Sequence, residues 1–296
     1  MIAAVRAVHV AQLVLLSVLW GGAYLFMRSS VPAFGAGPMV FLRMALASLL
    51  VLLPLTAWRT GFGPLRRHWR QMLVFGLAFT ALPFVGLGTA ALSIGAGLLA
   101  VLQSSAPMFA AIVGAVWLGE RISAWRAAGL AVGFAGVALL VWDKAGVREA
   151  AGLAVWITLG VTALWGVSSQ YAKSRLAGVD PLALATGSIT VAAVALAPLA
   201  WLGWPETPPG AKAWAEVAFL GVASSGLGFL IYFGLLRSIG AVRATSVTFL
   251  NPVVAMGSAA VYLGEPVTPR MLAGCAVILL GTALTLGLLP RRRRAG

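Results

Sequence analysis

Ten stretches of roughly twenty consecutive apolar residues, joined by short connections, leave this 296-residue chain few ways to fold. They run approximately over 10–27, 39–57, 72–92, 98–118 and 127–142, then 153–171, 182–202, 217–236, 244–263 and 272–289. Each is about the length a helix needs to cross a hydrocarbon layer. The runs are continuous rather than alternating, which favours helices over a barrel, because an isolated span in lipid must satisfy its own backbone hydrogen bonds. Composition agrees. Only 9% of the residues are charged and 61% are hydrophobic, with a mean hydropathy of +0.98, where a soluble domain carries roughly a quarter charged residues. The expected fold is an all-α membrane protein of ten transmembrane helices.

The net charge of +14 does not point to nucleic acid, because the basic residues stand singly between apolar runs and form no patch with interleaved aromatics. Instead they divide by membrane side. With the N-terminus cytoplasmic, Arg6, Arg59, Arg66, Arg67, Arg70, Arg121, Arg126, Lys173, Arg175, Arg237, Arg243 and Arg291 to Arg294 fall inside. Arg28, Lys144, Arg148, Lys212 and Arg270 fall outside. That bias of about threefold predicts cytoplasmic termini. The first run lacks a small-residue cleavage site after it and is expected to remain as the first span. One cysteine, Cys275, inside an apolar run, leaves no intrachain disulfide or cysteine metal site.

Sliding the chain along itself by 145 residues superposes its halves without a gap over most of their length. Trp20-Gly21 falls on Trp165-Gly166, the Ser-Ile-Gly-Ala of 93–96 on that of 238–241, and Pro107 on Pro252. Leu118-Gly119-Glu120 falls on Leu263-Gly264-Glu265, and Gly129 and Gly136 fall on Gly274 and Gly281. Between Gly95 and Leu140 roughly a third of the positions are identical. Five spans per half is an odd number, so the second half must enter the membrane inverted, the plan of many secondary transporters. The chain divides into a first repeat, 9–142, a connection, 143–152, a second inverted repeat, 153–289, and a basic tail, 290–296, expected in the cytoplasm.

The duplicated set of Trp-Gly in the first helix of each half, with a proline in the fourth helix followed by Leu-Gly-Glu, resembles the EamA family of the drug/metabolite transporter superfamily. Leu42-Arg43 also resembles the family's second-helix arginine. The likeness extends from about Val10 to Leu289, and within the family the chain resembles bacterial aromatic amino-acid and drug exporters. It implies efflux of small metabolites, with amino acids foremost, across a bacterial inner membrane.

Candidate substrate-binding residues follow from the pattern. Ser17, Trp20 and Tyr24 share a face of the first helix, as Thr162, Trp165 and Ser169 do in the sixth. Both tryptophans fall near mid-span, where the ring either packs or lines a site. Pro107 and Pro252 each remove a donor and free the carbonyls of Gln103 and Thr248, so that both helices are expected to break. Ser104, Ser105, Thr245, Ser246 and Asn251 lie around them and should face protein or a water-filled path. Thr80 with Phe84, Ser225 with Phe229, and Tyr232 add hydroxyl and aromatic surface. Arg43 either snorkels to the near interface or supplies a carboxylate contact or gate charge. Glu120 and Glu265 lie at helix ends on opposite faces, where termination and gating are both open readings. Gly129, Gly133 and Gly136 would let helices approach closely within the chain or across a homodimer.

No Asp, Glu or His lies at the centre of a span; His9 and His68 fall near the interface or in a basic loop. A carboxylate proton relay is disfavoured on that ground. The same lack of a nucleophile–base pair or metal cluster argues against an intramembrane enzyme. No cofactor or metal is expected. The reading is a transporter whose partners are the lipid bilayer and a small-molecule substrate, with a nucleotide-sugar or phosphate-ester carrier, or a proton-coupled multidrug exporter, as alternatives.

Overall fold

The computed structural model describes residues 7–142, 150–239, 244 and 246–288. Among them, nine helices are long and apolar enough to cross a membrane. They are α1 Ala7–Phe34, α2 Ala36–Arg59, α3 Trp69–Ala91, α4 Ala96–Leu118, α5 Ala124–Val141, α6 Ala150–Arg175, α7 Pro181–Leu202, α8 Ala211–Tyr232 and α10 Pro269–Leu286. The remaining apolar helix, α9, is Val247–Leu263, shorter at 17 residues. Large apolar side chains such as Val116, Val194, Leu202 and Val261 point outward. Such a surface is solvated only by lipid.

Helix ends are built alike in the two halves. Ser123 caps α5 by accepting from the Arg126 N–H, and Thr268, one repeat later, caps α10 by accepting from the Met271 N–H. Gly119 and Gly264 stop α4 and α9 in the left-handed conformation, with φ of 68° and 65°. The next N–H then turns back onto the helix, Glu120 to Gly114 and Glu265 to Ala259, each at 3.2 Å. The Leu-Gly-Glu motif is thus a helix stop that delivers a glutamate to a fixed place.

The halves do not fold side by side as separate bundles. Helix α1 packs on α9 and α8 of the second half, while α6 packs on α4 and α3 of the first. Helices α2 and α7 pair with each other, as α5 and α10 do. Each contact therefore recurs five helices later. Glycines set the closest approaches: a Cβ at Gly21 would stand 2.6 Å from the Val254 Cβ, and one at Gly166 would stand 2.8 Å from the Ala110 nitrogen. Gly76 against α7 and Gly221 against α2 form a second such pair, with prospective Cβ contacts of 2.7 and 2.6 Å. Between α2 and α7, Ser48 meets Thr190 at 2.7 Å and Thr56 meets Thr186 at 2.6 Å, hydroxyl pairs that hold helices together in lipid. The glycines of α5 are used inside the chain: Cβ atoms at Gly129 and Gly136 would lie 2.7 and 2.9 Å from backbone nitrogens of α10. That stripe is occupied and does not present itself to a second copy.

One expectation is corrected. Helix α4 does break before Pro107, into Ala96–Gln103 and Ala106–Leu118, but from Val247 onward α9 runs unbroken through Pro252, with Phe249 and Leu250, the positions that match the α4 break, inside the helix. The break in α4 is supported by hydroxyls. Ser104 and Ser105 donate to the Ala100 and Leu102 carbonyls, and Thr282 donates to the Ser104 carbonyl. The equivalent positions in the other half are Phe249, Leu250 and Val137, which have no hydroxyl to give.

Gly21→Ala and Gly166→Ala should each destabilise the detergent-solubilised protein by about 1–3 kcal/mol through overpacking. Nothing lies within 4 Å of a Cβ at Gly22 or Gly160. Alanine there should be neutral or slightly stabilising in thermal unfolding; equal losses at all four positions would refute the close-approach account.

Candidate functional site

The site begins with a departure from helical regularity at the same place in both halves. Helix α3 carries a π-helical turn at Gly76–Ala81, and α8 carries one at Phe219–Leu227. Such turns shift the hydrogen-bond ladder by one residue and turn carbonyls toward neighbours. The Trp165 indole N–H donates to the Phe79 carbonyl at 2.7 Å, and the Trp20 indole N–H donates to the Ser224 carbonyl at 3.1 Å. Donors and acceptors are both related by the 145-residue offset. The two tryptophans therefore tie the first helix of each half to the third helix of the other. Gly21 and Gly166 meanwhile seat the same two helices against α9 and α4, so each Trp-Gly pair uses its glycine on the fourth helix and its ring on the third helix of the other half. Ring contacts repeat as well: Phe84 lies edge-on to Trp165 at 6.1 Å, and Phe229 to Trp20 at 5.7 Å.

Arg43 breaks this symmetry, since Ser188 is its counterpart. It is only 5% exposed and does not snorkel. Its Nε donates to Ser225 Oγ at 2.8 Å and its Nη2 to Ser224 Oγ at 3.3 Å, both in the α8 π-turn, and its guanidinium lies 4.5 Å over the Phe84 ring. Among the described residues, no carboxylate stands within ion-pairing distance of it. A buried, serine-held cation of fixed orientation is suited to a carboxylate or another single anionic group.

These groups surround a cavity of about 530 Å³ between the repeats. Of the residues expected from sequence, Trp20, Tyr24, Phe84, Gln103, Ser104, Trp165, Ser169, Phe229, Tyr232, Thr248 and Asn251 line it, as do Arg43, Pro107 and Glu120. Ser17, Thr80, Thr162 and Ser225 stand outside its wall. The hydroxyls of Ser17 and Thr162 are spent on the carbonyls of Leu13 and Leu159 in their own helices, and Ser225 acts on the cavity through Arg43. Pro252 and Glu265 do not line it, and Thr245 lies outside the described residues. Phe79, Ser224, Met27, Arg126 and Gln170 line the cavity without having been expected. Gln170 carried a signal, an amide inside an apolar span. Phe79 and Ser224 carried none, because their backbone carbonyls do the work.

The two ends of the cavity differ. At one end Glu120 pairs with Lys173, with side chains 34% and 63% exposed, and the cavity reaches this end, where Glu120 and Arg126 line it. At the other, Glu265 meets Arg28 at 3.6 Å, with side chains 21% and 33% exposed. A Cβ at Gly95 would lie 2.5 Å from Glu265 Oε2, so the Ser-Ile-Gly-Ala motif of one half receives the Leu-Gly-Glu glutamate of the other. Both ion pairs join first helix to fourth helix across the repeats, and both partners are again 145 residues apart.

Comparison with known proteins agrees with this architecture. The model of the EamA-like transporter family matches residues 9–142 and again 152–287. A probable terminal-alkyne amino-acid exporter of Streptantibioticus cattleyicolor is 30% identical over 96% of this chain and 95% of its own length. An uncharacterized transporter of Bacillus subtilis is 29% identical over 74% of this chain and 72% of its own. A probable amino-acid metabolite efflux pump of Salmonella typhimurium is 26% identical over 63% of this chain and 66% of its own. A crystal structure at 21% identity covers 99% of this chain and all of its own, with a TM-score of 0.71, and shows the same fold.

Trp20→Phe and Trp165→Phe keep a ring but delete the donor. Each should lower stability by about 1–3 kcal/mol, the penalty of a buried carbonyl left unpaired. Thermal unfolding of the two variants should shift by similar amounts if the ties are equivalent; an unchanged unfolding temperature in both would remove the ties as structural elements.

Proposed function

This chain belongs to the EamA-like transporter family, and on that footing we propose that it exports small metabolites, foremost amino acids, from a bacterial cell by alternating access between its repeats. The observation that carries the reading is Arg43: a buried cation without a carboxylate partner among the described residues, in the wall of a small-molecule-sized cavity. It receives the substrate carboxylate. Around it Tyr24, Phe84, Trp165 and Phe229 form an aromatic wall for an apolar side chain. Names of relatives support the class, since two of them are described as a probable amino-acid exporter and a probable amino-acid metabolite efflux pump. A phosphate-ester or nucleotide-sugar substrate fits less well, because the cavity's other cation, Arg126, lies at its Glu120 end.

With cytoplasmic termini, as the distribution of Lys and Arg favours, the Glu120 end faces the cytoplasm and the cavity is open for loading. The Arg28–Glu265 pair then closes the outer end, while the Glu120–Lys173 pair, formed at the same time, stands at the rim of the open end without sealing the cavity. Transport proceeds without a proton relay through the midplane; Glu120, the cavity's carboxylate, is already engaged by Lys173.

Counterflow into proteoliposomes tests the substrate reading. Amino-acid exchange should be saturable and insensitive to a pH gradient. It should fall at least about tenfold in Arg43→Ala, since a charge-assisted hydrogen bond contributes roughly 1.5–3 kcal/mol. Arg43→Lys should recover it in part, because the charge remains but the fork geometry is lost. Transport of a cationic dye only, driven by a pH gradient, would overturn the substrate class and the coupling together. The access reading has its own test. In a Cys275→Ser background, a Met27→Cys probe should gain reactivity toward an impermeant thiol reagent from the outer side when Arg28→Ala is added. Exchanging the charges, Arg28→Glu with Glu265→Arg, should reverse that gain, and no change in either variant counts against the latch.

A further inference from the structure

The near-symmetry of the molecule separates residues that the fold requires from residues that it does not. A side chain repeated at the 145-residue offset, such as Trp20 with Trp165 or Glu120 with Glu265, does the same packing or pairing work twice. A polar side chain in the cavity wall whose counterpart is smaller or apolar has no such duty. Arg43, opposite Ser188 in the repeat, is one. Gln103 and Asn251 are two more, for their counterparts are Thr248 and Ala106. The other half builds the same helix pair without an amide at either place.

Both amides are also uncommitted. Asn251 is 9% exposed, and its Oδ1 is buried with no hydrogen-bond partner. Leaving such an acceptor unpaired costs about 1–3 kcal/mol, so its partner is to be sought outside the protein. Gln103, at the end of the first half of α4, lines the same cavity, and no hydrogen bond joins its side chain to the described residues. Helices α4 and α9 pack on each other, which puts both residues on the central pair of the bundle. Gln170, whose counterpart is Leu25, also has a buried Oε1 without a partner, but its Nε2 donates to the Ala110 carbonyl at 2.8 Å, which fixes that amide beside Gly114 and Glu120.

We propose that the Gln103 and Asn251 amides form the ammonium subsite of the cavity, so that the carrier selects amino acids over acids of the same skeleton that lack the amine. This rests on the amino-acid reading above. An amide oxygen accepts N–H bonds from an ammonium without placing a charge in the membrane. Trp20, which lines the same cavity, adds aromatic surface for the cation, while Tyr24 and Trp165 stay with the apolar side chain. Arg43 holds the carboxylate and the amides hold the amine, and a substrate bound at both is oriented despite the near-symmetric surroundings.

The test is counterflow with L-phenylalanine and 3-phenylpropionate, which differ only in the ammonium group, measured for the wild type, Gln103→Leu, Asn251→Leu and Asn251→Gln. Elution of each variant from a sizing column in detergent checks its folding. The wild type should favour phenylalanine. Each leucine variant should lose phenylalanine exchange by about tenfold or more, the size of a charge-assisted hydrogen bond, while 3-phenylpropionate still competes as before. Asn251→Gln should restore part of the preference. If both compounds weaken together, or neither does, the amides are structural and the subsite is wrong. Wild-type exchange of 3-phenylpropionate without phenylalanine would also overturn the subsite and leave Arg43 as the anchor of an anion carrier. Exchange of neither would bring down the amino-acid reading itself, and the subsite with it.

Discussion

In hydrocarbon no water waits to satisfy a backbone carbonyl that has left its helix ladder, and the architecture of this protein depends on how that demand is met. The π-helical turns of α3 and α8 direct the Phe79 and Ser224 carbonyls at the first helix of the opposite half, where Trp165 and Trp20 donate to them. Because each donor comes from the other repeat, neither half completes its hydrogen bonding alone. The edge-on aromatic pairs sit beside those ties, and Gly21 and Gly166 let the same two helices approach α9 and α4, so the crossed packing uses both.

The same crossing places the cavity at the centre and an ion pair at each end. Each glutamate is delivered by a left-handed glycine that stops its helix, so its position is set by backbone geometry rather than by a mobile loop. The pairs are equivalent by repeat but not in their surroundings: Glu265 is seated against Gly95 and away from the cavity, while Glu120 is more exposed and lines it. The repeat thus places two equivalent ion pairs in unequal surroundings.

Departures from symmetry carry the chemical information. Ser104, Ser105 and Thr282 support a break in α4 that α9 lacks, because Phe249, Leu250 and Val137 stand at the matching positions. Arg43 with Ser224 and Ser225 makes one side of the cavity cationic, where the matching Ser188, Phe79 and Thr80 are neutral. A near-symmetric frame thus encloses an asymmetric cavity wall.

The sequence by itself determined the membrane class, the ten helices and the duplication, because apolar run length and a constant offset are properties of the chain read in one dimension. It also marked most of the polar and aromatic residues now found around the cavity, since a polar group within a span must face something other than lipid. Only the tertiary structure decided what each of them does. Trp20 and Trp165 proved to be cross-repeat donors, Arg43 was turned inward rather than to the interface, Ser17 and Thr162 were spent on their own helices, and the α5 glycines were closed against α10. Their partners are a π-turn carbonyl, a helix backbone, or a side chain more than a hundred residues away, and none of these leaves a mark in the pattern of side chains along the chain.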